Sequence, residues 1–236
     1  MNSCVIRDNW LLFDVASPEA DIVASHNAGT LKLVCRVFDD WFGKDYPLAH
    51  QPVSVLRARE DFPQCFRRNN IIFLSANPQC AAQLMYQFAH ELCHLMIPHK
   101  PPERFRWFEE SVCEAASIES LRWILGDPES VPDALLSSIP RYILAIRSEY
   151  KQRDPQTPLS AFISAHIEKL ECDPQMRSIN GTIAEALQPF LIPEFWKAVP
   201  LLCEIPPEAS FHEGIRWWVS RMPRSLGNNI AELLIQ

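Results

Sequence analysis

Tyr86–Pro98 reads YQFAHELCHLMIP, and it places His90, Glu91 and His94 inside an otherwise apolar segment. From Cys80 to Met96 the residues are mainly Ala, Leu, Met, Phe, Cys and Tyr; the polar ones are Gln83, Gln87, His90, Glu91 and His94. Positions 83, 87, 90 and 94 step by four, three and four, so a helix puts them on one face. A surface helix shows an apolar stripe on a polar background, and this segment shows the reverse. The pattern predicts a buried helix whose polar face looks into a cleft, because buried polar groups need partners.

His90 and His94 lie about one helical turn apart, so both imidazoles can converge on one metal ion. Zinc takes nitrogen ligands at roughly 2.0–2.1 Å, and at catalytic sites it keeps an open position beside three protein ligands. Glu91 is displaced around the helix from His90, close to that open position without ligating. There it can take a proton from zinc-bound water and later deliver it to a leaving amine. This is the HExxH arrangement. The competing reading is a buried helix with two histidines bonded to carbonyls and a surface glutamate.

Two histidines leave a zinc site one protein ligand short. The next apolar segment, RWFEESVCEAASIESLRWIL (Arg106–Leu125), supplies Glu109, Glu110, Glu114 and Glu119. Glu110, Glu114 and Ser117 share a face, while Trp107, Phe108, Val112, Ala115, Ala116, Leu121 and Ile124 provide apolar surface for packing. Taken alone, the carboxylates read equally well as a solvated acidic face. Their position after the fifteen intervening residues 95–109 favours a ligand role.

HELCH followed by WFEESVCEAAS resembles the gluzincins, zinc metallopeptidases with HExxH on one helix and a glutamate ligand on the next. The resemblance covers about residues 71–125. It implies a zincin-like fold, bound zinc, His90, His94 and Glu110 as ligands, and Glu91 as the general base. Glu114, one turn beyond Glu110, would be the carboxylate that orients a ligating histidine. The interval between His94 and Glu110 is shorter than in the best-known members. By that measure Glu114 is a rival ligand, as in the thermolysin-like form of the motif, although Ile118 would then stand where the supporting carboxylate belongs. The resemblance also implies that NIIFLSA (Asn70–Ala76) is an antiparallel edge strand that holds extended substrate. Such peptidases add a Tyr or His at the oxyanion; Tyr142 and Tyr150 are the candidates, with His166 and His212 behind them.

Composition bounds the alternatives. The 236 residues can bury a sizeable core, and 47% hydrophobic with 22% charged residues is ordinary for a globular chain. A net charge of −7 disfavours a phosphate-binding surface, so no nucleic-acid partner is expected. Arg57/Arg59 and Arg67-Arg68 read as solvated strand ends. Six glycines and no GxxxxGK[ST] or GxGxxG argue against phosphate-cradling loops. The opening MNSCVIRDNW has no secretory pattern, no apolar stretch reaches a membrane-spanning length, and eight scattered cysteines without CxxC read as reduced thiols. A cytoplasmic location is the expectation.

The chain signals predict an α+β, mainly helical fold in one domain. A small N-terminal α/β lobe (1–98), with an antiparallel or mixed sheet, includes the HExxH helix; a helical lobe (99–236) includes the helix of the third ligand. LLFDV, VSVLRA and NIIFLSA carry the strand signals, and Leu31–Phe42 is helical by period. Asn77-Pro78 marks a helix start and Gly126 a helix end; further helices fall at about 133–151, 158–171, 179–190, 211–221 and 226–235. His99 is expected in a loop, and Trp217-Trp218 in the core. The residues thus point to a zinc-dependent hydrolase, most readily a peptidase acting on a peptide or protein. Two alternatives stay open: a zinc-binding regulatory or interaction protein without turnover, and a structural zinc site that draws on Cys93 or Cys113. The sequence names no substrate and sets no oligomeric state.

Overall fold

A computed structural model of the chain describes residues 3–14, 20–58, 63–77 and 79–236. The chain opens with strands β1 (Ser3–Arg7) and β2 (Trp10–Asp14), an antiparallel pair turned at Asp8-Asn9, where Asp8 adopts a φ of 29°. Helix α1 (Ala20–Phe42) follows. It buries Ala24, Ala28, Leu31, Val34, Cys35, Phe38 and Trp41, positions three or four apart along one stripe. It stops before Gly43, whose φ of 83° is the left-handed conformation that a helix end assigns to glycine.

Strand β3 (Val53–Arg57) then pairs with β2 in parallel, so α1 serves as the crossover and packs on β1 and β2. Strands β4 (Gln64–Phe66) and β5 (Ile71–Leu74) complete a mixed sheet of order β1-β2-β3-β5-β4. Here the expectation for Asn70–Ala76 is overturned. β5 is an interior strand, parallel to β3 on one side and antiparallel to β4 on the other. The sheet's edges are β1 and β4, and the one beside β5 is β4, whose three residues QCF are too few to carry a periodic signal.

The ends of the parallel strands are tied by a buried ion pair. Arg57 Nε and Nη2 donate to Asp14 Oδ2 and Oδ1 at 2.8 and 2.6 Å, Nη1 donates to Ala76 O at 3.2 Å, and Asn27 donates to Asp14 Oδ2 at 2.9 Å. Both charged side chains are fully buried, so Arg57 is no solvated strand end, and Arg59 lies outside the described residues. Asp14 and Arg57 are register partners in the β2–β3 pair, which explains the bidentate fit. Asp14→Ala is expected to cost about 3–5 kcal/mol, read from urea unfolding, because it strands a buried guanidinium charge. A loss below about 1 kcal/mol would mean that water or another group takes up the charge.

The motif helix α2 (Ala81–Met96) packs against α1, β4 and β5. Its start differs from the expected one. Asn77 organises a turn ahead of the helix: its Oδ1 accepts from Gln79 N, and its carbonyl accepts from Cys80 N. Pro78 lies outside the described residues. Helix α3 (Arg106–Leu125) ends at Gly126, whose N–H bonds Arg122 O and Trp123 O without a positive φ.

The remaining helices are α4 (Asp133–Ser148), α5 (Leu159–Ser164), α6 (Ile167–Cys172), α7 (Arg177–Leu187), α8 (Pro193–Ala198), α9 (Phe211–Val219) and α10 (Arg224–Ile235). The helix expected over 158–171 is divided at Ala165-His166, where the His166 ring Nδ1 is 2.8 Å from Phe162 O. α8 gave no expected signal; it is a short turn of helix opened by Pro193.

By contacts the chain forms two compact units. One holds the residues up to Met96 with Ala116–Ala145; the other holds Ile97–Ala115 with Ile146–Gln236, so the boundary runs through α3. The second unit is centred on aromatic residues: Trp107, Phe108, Phe195 and Trp218 are buried, and Phe211 packs on both Trp107 and Phe108. Trp218 is core, with its Nε1–H on Ala198 O at 2.8 Å, while Trp217 is half-buried beneath Arg221. No helix among the described residues is long and apolar enough to cross a membrane.

Candidate metal centre

α2 is a core helix. Thirteen of its sixteen residues are buried, Glu91 and His94 among them, while Gln83 and His90 are half-buried. The polar stripe has two jobs. Gln87 accepts from Ser75 N at 3.0 Å and donates to Ser75 Oγ at 3.1 Å; Gln83 accepts from Asn77 N at 3.1 Å. Those two amides satisfy the backbone of the loop leading from β5 into the helix, which meets the need for partners inside a core. His90 and His94 occupy the same stripe one and two turns further on, their ring centroids 5.0 Å apart.

Ligand atoms of His90, His94 and Glu110 all lie within 4.8 Å of one another. Two imidazoles and a carboxylate are a donor set that zinc accepts, and His90 and Glu110 keep partial exposure while His94 is buried. A second group, His94, Glu109 and Cys113, meets the same 4.8 Å limit and is buried throughout. Sequence reasoning named Glu109 only as part of the acidic helix. The signal that could have singled it out is its i, i+4 relation to Cys113 on the same face of α3.

α3 excludes the solvated acidic face. From Trp107 to Ile118 every residue except Glu110 is buried, including Glu109 and Glu114. Burial brings Glu114 to other partners. Tyr150 donates its hydroxyl to Glu114 Oε1 at 2.5 Å, and Arg177 Nε stands 4.0 Å from the same oxygen. Glu114 belongs to neither three-residue group. Burial, and then the Glu114 charge, push the Tyr150 phenol far above its ordinary pKa, so it remains a proton donor to that carboxylate. Its ring fits because residue 181 is glycine; a Cβ there would lie 2.1 Å from Tyr150 ring carbons.

The other oxyanion candidates divide by position. Tyr142 is half-buried and packs edge-on against Tyr86, with ring centroids 5.6 Å apart; Tyr86 precedes His90 by one turn of α2. His166 lies at the break between α5 and α6 with its Nδ1 against Phe162 O of α5, His212 is exposed, and His99 is exposed in the loop after α2.

Arg67, like Arg57, is a residue that composition alone misplaced. It is half-buried after β4, and its Nε donates to His94 O at 2.9 Å, while Nη2 lies 3.3 Å from His94 Nδ1. Arg68 beside it is exposed, as a solvated basic residue should be.

No protein-family model, curated protein or solved structure matches the chain.

Proposed function

We propose that this chain is a zinc-dependent metallohydrolase of zincin-like fold, most readily a peptidase. The observation that carries the reading is the convergence of His90, His94 and Glu110 within 4.8 Å, beside a glutamate that follows the first histidine. A two-histidine, one-carboxylate set suits zinc and leaves room for a fourth, exchangeable ligand. Zinc bound there supplies Lewis acidity, polarising a substrate carbonyl and acidifying water.

The protein's own part falls to Glu91. One carboxylate oxygen takes the proton of the water that adds to the peptide carbonyl carbon. As the C–N bond breaks, the same group returns that proton to the departing nitrogen, which leaves as an amine. The Tyr150 hydroxyl already donates to Glu114, which speaks against Tyr150 as the group that faces a developing oxyanion; Tyr142, packed on Tyr86 one turn before His90, stays a candidate. Main-chain groups of β4, the edge strand that packs against α2, are the candidates for holding an extended peptide.

Metal content of purified protein, with and without prior chelation, tests the reading; about one zinc per chain is expected. Glu110 and Glu114 separate in the same assay. Glu110→Ala is expected to lower zinc affinity more than Glu114→Ala, for which second-sphere losses are roughly 10- to 100-fold. Glu114→Ala should instead lower stability by about 1–3 kcal/mol, because the buried Tyr150 hydroxyl loses an acceptor. Zinc retained in Glu110→Ala and lost in Glu114→Ala would transfer the ligand role to Glu114.

A further inference from the structure

His94 belongs to two sets of ligand atoms, and the two differ in chemistry. With His90 and Glu110, both partly exposed, it forms the set of nitrogen and oxygen donors on which the zinc reading rests. With Glu109 and Cys113 it forms a set that is buried throughout: His94 is 9% exposed, Glu109 4% and Cys113 0%. Glu109 and Cys113 stand four residues apart on α3, so one turn of helix puts carboxylate and thiol on one face, as α2 does for His90 and His94. The two sets overlap only at His94.

Softness separates the sets first. Sulfur selects thiophilic ions, whereas zinc is borderline and is served by nitrogen and oxygen as well. Charge separates them again. A thiol gives up its proton as the metal–sulfur bond forms, and the proton passes to solvent. Thiolate and carboxylate together then cancel the two charges of a divalent ion. An uncompensated charge is costly in a buried place, so burial suits this set to an ion that it neutralises. The set of His90, His94 and Glu110 cancels one charge, and the partial exposure of two of its members lets water screen the other.

We infer that His94, Glu109 and Cys113 form a second metal site, selective for divalent ions softer than zinc, whose filling withdraws His94 from the zinc site and so inhibits hydrolysis. The withdrawal rests on the zinc reading of His90, His94 and Glu110; the thiolate site does not. The probe is Cd²⁺, added to reduced, metal-free full-length protein and followed by the ultraviolet charge-transfer absorption of a cadmium–thiolate bond. Wild type is compared with Cys113→Ser, Cys113→Ala, Cys93→Ser and His90→Ala, with folding checked by circular dichroism. Cys93 is buried on α2 but belongs to neither set, so its variant controls for thiols elsewhere. Wild type, Cys93→Ser and His90→Ala are expected to share one tightly bound Cd²⁺ with thiolate absorption. The Cys113 variants should lose that absorption and bind about 100-fold more weakly, since a lost ligand matches or exceeds the loss of a supporting residue. Glu109→Gln, nearly isosteric, should keep the absorption but bind about tenfold more weakly, which keeps the site testable if neither Cys113 variant folds. Zinc-loaded wild type should exchange its zinc for cadmium, read by elemental analysis after dialysis, at a Cd²⁺ concentration that leaves zinc in Cys113→Ser. Equal absorption and affinity in folded Cys113 variants overturns the site, as does loss of the absorption in His90→Ala. Cd²⁺ bound through Cys113 with zinc retained overturns the withdrawal. A protein that takes Cd²⁺ through Cys113 but binds no zinc overturns the zinc reading, and with it the withdrawal, while supporting the thiolate site.

Discussion

Glu91→Gln is expected to keep its fold and its zinc while hydrolysis collapses by about 10²–10⁴-fold. Glutamine is nearly isosteric with glutamate, so the buried position on α2 stays filled, and the helix loses no propensity. What disappears is the ability to accept and return a proton. The loss should fall on kcat with little change in KM, because a group that moves a proton acts in the transition state and not in substrate binding. A peptide library at near-neutral pH is the appropriate assay, with zinc content measured on the same preparations. Equal cleavage by Glu91→Gln and wild type would remove the mechanism even if zinc is bound. If neither protein cleaves and zinc is present in both, the chain is better described as a zinc-binding regulatory or interaction protein.

His90→Ala and His94→Ala are each expected to abolish tight zinc binding, since two remaining ligands rarely hold the ion. The pair of variants also separates the two groups of ligand atoms. His94 is common to both, whereas His90 belongs only to the group with Glu110. Zinc lost from His94→Ala but kept by His90→Ala would therefore move the ion to His94, Glu109 and Cys113. Full zinc occupancy in the double variant would place the metal away from α2 altogether. Metal analysis after exhaustive dialysis, alongside thermal unfolding of the metal-free proteins, distinguishes a lost ligand from a lost fold. The distinction matters most for His94, which is buried and bonded to Arg67.

Sequence alone determined the parts that a few neighbouring residues decide. The Leu31–Phe42 part of α1, and α2 and α3, were legible because apolar positions recur every three or four residues, a period that backbone hydrogen bonding imposes locally, whereas the part of α1 before Leu31 gave no expected signal. The same locality made His90 and His94 a pair: on any helix, residues four apart face the same way. A polar stripe on an apolar helix also announced burial, although it did not say that Gln83 and Gln87 close the loop before the helix.

Only the tertiary structure decided the rest. Pairing order depends on strands far apart in sequence, so β5 could pass for an edge until β4, three residues without a usable period, was seen beside it. The four glutamates of α3 look alike in one dimension. Which of them approach the histidines, and which goes to Tyr150 and Arg177, follows from the neighbours that surround the helix. Arginine mispredicts for the same reason. Composition places it in water, but Arg57 is buried against Asp14 from the adjoining strand, and Arg67 ends on the carbonyl of His94. Periodicity is written by hydrogen bonds within a single turn or strand, whereas partners for a buried charge are brought together only when distant segments pack.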